Sequence, residues 1–275
     1  MVSSAHSRPW LLALALAPAL MPACVYGQIT GNGPIPSYTA QSIVNAATQT
    51  VEALAPNTIA TLYGTNLAFD TVAVTGVVGG TMPTSLDGVG VWINSISCSV
   101  FFVSPTQINF LVPYQLVAGT VSLVVARDGQ AGNTVSIQLN NTSPGLFVWN
   151  GNNAVAAHLN GQVISPTSPA VPGEVVVLFV AGLGRTSPDT TSGQLATAAF
   201  PIYYFSQLQI LLNGVACPPG SILYAGLSPG FAGLYQINLQ LPADVAANPQ
   251  IQVAIGAQIS PASIQLLVQP AQAAQ

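Results

Sequence analysis

Gln107-Ile108-Asn109-Phe110-Leu111-Val112-Pro113 recurs as Gln236-Ile237-Asn238-Leu239-Gln240-Leu241-Pro242. In both copies an apolar side chain falls at every second position between the glutamine and the proline. A period of two puts Ile108, Phe110 and Val112 on one face of a strand, and likewise Ile237, Leu239 and Leu241. Gln107, Asn109, Gln236 and Asn238 then share the opposite face. Pro113 and Pro242 end the strands, because proline donates no ladder hydrogen bond.

Matching segments extend outward from this phrase. Asn94 to Cys98 parallels Asn213 to Cys217, an Asn followed four residues later by a Cys. PNTIATLYGTNL from Pro56 parallels PGEVVVLFVAGL from Pro172. Downstream, Val121, Leu123 and Val125 answer to Ile251, Val253 and Ile255, and Val135, Ile137 and Leu139 to Ile264, Leu266 and Val268. A repeat this long is the size of a small domain rather than of a solenoid unit. The expected fold is all-β: two tandem immunoglobulin-like sandwiches from an internal duplication, residues 40–141 and 142–275.

Composition agrees. The chain has 25 Gly and 22 Pro among 275 residues, and turn signals fall between the alternating runs. Asn160-Gly161 and Asp128-Gly129 read as hairpin turns, Asp87-Gly88 as a turn, and Asn213-Gly214 as a hairpin tip or a bulge. Residues 41–52 are the best helix candidate, and a short one. SPGLF from Ser143 and the Pro-rich stretch 166–172 are expected to link and brace the two sandwiches.

Residues 1–27 read as a signal peptide: Arg8, an apolar run from Trp10 to Met21, and small residues up to Gly27. Residues 28–39 read as a flexible N-terminal segment. Cys24 offers an alternative, lipidation after Met21-Pro22-Ala23. Later apolar runs fall short of the roughly 20 residues that a membrane-spanning helix needs. The expected location is secreted, periplasmic or at the cell surface.

Charge excludes whole classes of partner. Lysine is absent, and without Arg8 only Arg127 and Arg185 face seven carboxylates. Phosphate backbones and anionic lipid surfaces require clustered Lys and Arg, so neither nucleic acid nor an acidic membrane is an expected partner.

Catalytic candidates are few. Gly226-Leu227-Ser228-Pro229-Gly230 spells a nucleophile elbow, yet Pro229 has no N–H for an oxyanion, and a strand rather than a helix follows. A tight turn is the better reading. His158 is the only histidine beyond the signal. A relay with Ser228 and with Asp189 or Glu174 can be drawn, but no spacing supports it, and a packed or surface residue is the simpler reading. No paired Cys/His spacing suits zinc and no Asp-rich loop suits calcium, so no metal or cofactor is expected. Cys98 and Cys217 form an even pair in an exported chain and could be a disulfide; alternatively each is a small apolar core residue of its own sandwich.

Two features suit binding. The amides Gln107, Asn109, Gln236 and Asn238 could contact a glycan, or satisfy one another and neighbouring backbone. Tyr203, Tyr204 and Phe205 follow a Ser/Thr/Gly-rich loop. Exposed, they would stack on sugar rings or meet a protein; otherwise they form an edge strand.

VNAA at Val44, LAPNTIATLYGTNLA from Leu54, VSPTQINFLVP from Val103, SPGLF, the stretch from Ala154 to Gly184 and LYAGLSPGFAGLYQINLQLP from Leu223 resemble a secreted acidobacterial family with a Solibacter C-terminal-type domain. The GTNL segment is similar to the opening strand and turn of IPT/TIG domains, immunoglobulin-like modules of cell-surface proteins. The resemblance implies export and a sandwich fold, and it brings no catalytic residues. Arg185 and Asp189 depart from it, standing where the family's loop is apolar or proline-rich.

The leading expectation is therefore an exported, non-catalytic binding or adhesion module for a surface polysaccharide or a protein partner. The alternatives are an extracellular hydrolase using His158 with a nearby Ser or carboxylate, and a structural envelope or assembly protein pairing through exposed strand edges.

Overall fold

Alternation becomes burial. Ile108, Phe110, Val112, Ile237 and Leu239 have no exposed surface, and Leu241 almost none. Removing each such side chain from water stabilises the fold by roughly 1.5–3 kcal/mol. The computed structural model describes residues 34–270; residues 1–27, expected to be a signal peptide, with Arg8 and Cys24, lie outside them.

The first strands are β1 (Ile43–Asn45), β2 (Ile59–Tyr63), β3 (Val72–Ala73), β4 (Val89–Ile93) and β5 (Ile96–Ser97). They are followed by β6 (Ser99–Val103), β7 (Gln107–Leu111), β8 (Gly119–Arg127), β9 (Gln130–Ala131) and β10 (Val135–Leu139). Antiparallel pairing orders them as β1-β2-β7-β6-β3 and β10-β8-β4-β5, with β9 on β8. Leu62, Val100, Ile108 and Phe110 of the first sheet share one apolar core with Val91, Leu123 and Val125 of the second.

Next come β11 (Gly145–Leu146), β12 (Val148–Trp149), β13 (Asn153–Ala154), β14 (Ala156–His158) and β15 (Val175–Ala181). The chain continues with β16 (Leu208–Leu212), β17 (Val215–Ala216), β18 (Ile222–Leu227), β19 (Tyr235–Gln240), β20 (Ile251–Ile255) and β21 (Gln258–Ile259). The sheets here are β11-β15-β19-β18, with β14 also on β15, and β17-β16-β20-β21; β12 and β13 pair by themselves. Leu178, Ile237 and Leu239 of one sheet meet Ile210, Val253 and Ile255 of the other in a second core. The fold is all-β and of immunoglobulin-like sandwich type, with no α-helix among the described residues. No described helix is long and apolar enough to cross a membrane.

Pairing repeats in detail. β2-β7-β6 matches β15-β19-β18, and β5-β4-β8-β9 matches β17-β16-β20-β21. The same register irregularity falls between Val100 and Phe102 on β6 and between Ile222 and Tyr224 on β18. The N–H of Cys98 donates to the Val91 carbonyl and that of Cys217 to the Ile210 carbonyl, both at 2.8 Å.

The two strand sets are locked together by the chain between β15 and β16. There the Met82 N–H donates to the Gly193 carbonyl and the Leu195 N–H to the Gly80 carbonyl, each at 2.8 Å. Ser192 Oγ donates to Gln115 Oε1 at 3.0 Å. Met82, Leu111 and Ala232 form a third, small apolar cluster across this contact. The face of β7 that alternation assigns to solvent is thereby covered, and Asn109 is 3% exposed. Ser143 joins both sets as well: its N–H donates to the Gly182 carbonyl at 2.7 Å, and its carbonyl accepts from Asn45 Nδ2 at 3.1 Å.

Several expectations change. Residues 41–52 form no α-helix; a 3-10 turn, Ala40–Ser42, runs straight into β1, where Ile43 and Val44 pair with Leu62 and Thr61. Branched side chains favour that pairing over a helix. The end of the segment expected to be flexible, residues 28–39, is docked: Tyr38 is buried, and its hydroxyl accepts the Val125 N–H at 2.7 Å. The Pro-rich stretch stays within the second strand set, where the Ala170 N–H reaches the Leu267 carbonyl; bracing falls to Ser143 and to the chain around Ser192. Asn213 and Gly214, both at positive φ, resolve as a hairpin tip between β16 and β17.

Candidate functional site

After crossing to the first strand set, the chain returns through isolated bridges Thr186↔Ile202 and Pro201↔Gly226. It then turns through Tyr203 and Tyr204 into a 3-10 helix, Phe205–Gln207, that leads into β16. Tyr203 and Tyr204 therefore lie in a turn and not on the expected edge strand. Tyr203 is 65% exposed. Its ring meets Tyr204 edge to face, centroids 5.0 Å apart and planes at 81°, a geometry that aromatic quadrupoles favour. The Tyr203 N–H donates to the Arg185 carbonyl at 2.8 Å. The Arg185 guanidinium forms a two-pronged ion pair with Asp189, whose hydrogen bond pushes the guanidinium pKa up.

Tyr204 lines a concavity of about 250 Å³. Its other walls come from Asn140, Asn141 and Thr142, the link after β10, from Gln207, and from Gly256 to Gln258 at the β20–β21 turn. Sequence reasoning missed these amides. They sit in turns and links without periodicity, and only the tertiary fold gathers them.

The amides singled out in the sequence are differently placed. Gln107 Nε2 donates to Asn109 Oδ1 at 2.8 Å, and Gln236 Nε2 to Asn238 Oδ1 at 3.0 Å. Each pair bridges strand positions i and i+2 on one face, so each glutamine amide is committed to its neighbour.

His158 ends β14 opposite Val176 of β15, which makes Glu174 its diagonal neighbour on the same face. His158 Nδ1 lies 3.0 Å from Glu174 Oε1 and 3.3 Å from Oε2, the oxygen with hydrogen-bond geometry. A tight turn through Ser165 and Ser168 brings Ser168 Oγ to 3.2 Å and the Ser168 carbonyl to 3.3 Å from Nε2. The histidine thus contacts a serine and a carboxylate, but Ser168 rather than Ser228. Ser228 is buried, and its hydroxyl donates to Gln236 Oε1 at 3.1 Å. No group of three His, Cys, Asp or Glu side chains able to hold a metal occurs among the described residues.

Cys98 and Cys217 are free thiols, one in each sandwich core. Burial pushes both thiol pKa values up. The disulfide weighed on sequence grounds is not formed, since equivalent positions in two separate cores do not meet.

Among solved structures, the chain is similar to an SGBP-B protein of the mixed-linkage glucan utilization locus of Bacteroides ovatus, in complex with a mixed-linkage heptasaccharide. Identity is 10% over 79% of this chain and 42% of that one, with TM-score 0.32. It is also similar to a surface glycan-binding protein of Prevotella bryantii, at 13% identity over 86% of this chain and 42% of that one, with TM-score 0.27. Titin domains z1z2 in complex with telethonin match at 12% identity over 87% of this chain and 98% of theirs, with TM-score 0.22. The chain thus spans 42% of the length of each of the Bacteroides ovatus and Prevotella bryantii structures. No curated protein matches it. Residues 47–143, which carry β2 to β10 of the first sandwich, match the family model of the IPT/TIG domain.

Proposed function

We propose that the protein is an exported, non-catalytic binding module, built from two copies of one sandwich, roughly residues 40–141 and 142–275, that acts on a surface polysaccharide or a protein partner. The reading rests on Tyr203, an aromatic ring left 65% exposed on a turn anchored at both ends. An exposed phenol ring of this kind offers a flat apolar face with a polar edge, which suits stacking on a sugar ring or packing against a partner. The recurring strand order and irregularity support the duplication, and the sequence of residues 1–27, an Arg followed by an apolar run and small residues, supports export. A screen of the protein against immobilised polysaccharides and envelope extracts tests the proposal. Capture that is lost in Tyr203→Ala supports it; capture equal for both proteins overturns the role of the turn.

A second reading follows from His158. With Nδ1–H donated to Glu174, Nε2 is left to accept the Ser168 hydroxyl proton, the polarity of a hydrolase relay. Two features rank it second. Pro169 has no N–H to offer an oxyanion, and the Ser168 N–H is already donated to the Ser165 carbonyl at 3.0 Å. Covalent labelling by a fluorophosphonate that disappears in Ser168→Ala would promote this reading, and an unlabelled protein would remove it.

A further inference from the structure

We infer that the concavity between residues 140–142, Tyr204 to Gln207 and the β20–β21 turn is a subsite for an uncharged sugar ring of a polysaccharide. The inference rests on the binding-module reading and names its ligand class.

The amides there are uncommitted. The side chains of Asn140, Asn141, Gln207 and Gln258 line the cavity and make no hydrogen bond among the described residues. Several strand amides, by contrast, are taken: Gln107 by Asn109, Gln138 by Thr120, Gln236 by Asn238 and Gln252 by the Ser260 carbonyl. An amide presents an acceptor and two donors in one plane, so a single side chain can receive a proton from one hydroxyl and donate to the next. Several such groups around one hollow match a ring bearing adjacent hydroxyls.

Tyr204 supplies the complementary apolar wall, with Ala118, Ile255 and Ala257 beside it. Sugar rings carry C–H groups on their faces, and an aromatic plane is the side chain that covers such a face. Tyr203, packed edge to face at 5.0 Å, limits the orientations open to Tyr204. At about 250 Å³ the hollow lies below the roughly 300–1,000 Å³ of pockets that enclose drug-sized ligands. That suits one ring of a chain rather than a whole oligosaccharide.

Charge sets the class. No Asp, Glu, Lys, Arg or His lines the cavity, and nearby Arg185 is neutralised by Asp189. Nothing there attracts a uronate, sulfate or phosphate, so neutral glycans are selected over acidic ones.

Affinity electrophoresis through gels containing a neutral β-glucan, xyloglucan or galactomannan, with alginate and carrageenan as acidic counterparts, tests this. At least one neutral polymer should retard the protein, and retardation should persist in about 1 M salt, where the screening length falls to about 3 Å. Tyr204→Ala and the double variant Asn141→Ala with Gln258→Ala should each weaken retardation about tenfold. Gln107→Ala, whose amide is held by Asn109 away from the cleft, should retain it, and urea midpoints near the parent's establish that the cleft variants are folded. Retardation indifferent to the cleft variants, or given only by the acidic polymers, overturns the subsite while the binding-module reading stands. Capture of an envelope protein with no polysaccharide bound has the same consequence. Absence of any ligand in both screens overturns the two together.

Discussion

The side-chain oxygen of Asn213 accepts the backbone N–H of Gln250 at 2.9 Å, while the Asn213 N–H donates to the Gln250 carbonyl at 2.8 Å. Asn94 does the same with Ser122, at 2.9 Å in each direction. Both asparagines sit at hairpin tips with positive φ, 49° and 46°, which Asn tolerates better than most residues. One side chain thus closes the hairpin and ties it to the adjacent strand.

Asn213→Ala should lower stability by about 2 kcal/mol, part from the lost hydrogen bond and part from forcing alanine into the left-handed region. Asn213→Gly keeps the backbone freedom and should cost about 1 kcal/mol. Urea midpoints of the two variants check this. Equal losses would mean that the left-handed backbone contributes nothing.

Gly182 tests the lock between the strand sets. Its φ is +76°, and a Cβ there would lie 1.8 Å from the Ser143 carbonyl oxygen, which Asn45 also holds. Gly129 has a similar φ of +78° with nothing near its Cβ position. Gly129→Ala should cost about 1 kcal/mol, the left-handed penalty alone. Gly182→Ala should exceed about 3 kcal/mol, because the link after β10 must move as well. Similar losses in a denaturation series would show that the junction yields freely.

Legibility in the sequence followed range. The strands around Gln107 and Gln236 and the turns at Asn160 and Asp128 are set by neighbours within a few residues, and alternation or a single dipeptide reveals them. The covering of the face of β7 that alternation assigns to solvent depends on Met82 and Ala232, which pack with Leu111 from far along the chain, and period-two patterning cannot see it. The same limit hid Ser168: its approach to His158 comes from a turn whose Ser and Pro residues resemble any linker. The cleft amides were least visible of all, since Asn and Gln in loops usually serve local turns. Tyr203 and Tyr204 are legible as large aromatics that follow a Ser/Thr/Gly-rich loop, but whether such a run makes an edge strand or a turn is set by the distant bridges that anchor it.

The thiols give a direct check on the two cores. Cys98 has no exposed surface and Cys217 is 9% exposed. In a Cys24→Ser background, a thiol reagent should titrate both cysteines in denaturant and leave Cys98 unmodified in the native protein. Burial also raises their pKa values, which lowers the reactive thiolate fraction. A denatured protein without free thiols would mean that the cores open far enough to let the two residues meet.

Stability should fall on the alkaline side. Burial pushes the Tyr235 phenol up, outweighing the opposing pull of the nearby Asn57 amide, and also raises the Cys98 thiol. In the unfolded chain these groups ionise near their ordinary values, 9.0 for the thiol and 10.0 for the phenol. Above those values the unfolded state has released protons that the folded state still holds, so rising pH favours unfolding. Urea midpoints should change little on this account below about pH 8, then decline with up to about 1.4 kcal/mol per pH unit for each group. Tyr235→Phe separates the phenol from the thiol. It removes the hydroxyl that donates to the Gly184 carbonyl, so it should cost about 1–2 kcal/mol at neutral pH. Its alkaline decline should be shallower than that of the parent, because one titrating group has gone. A variant with the parent's slope above pH 10 would mean that water reaches Tyr235 in the folded protein.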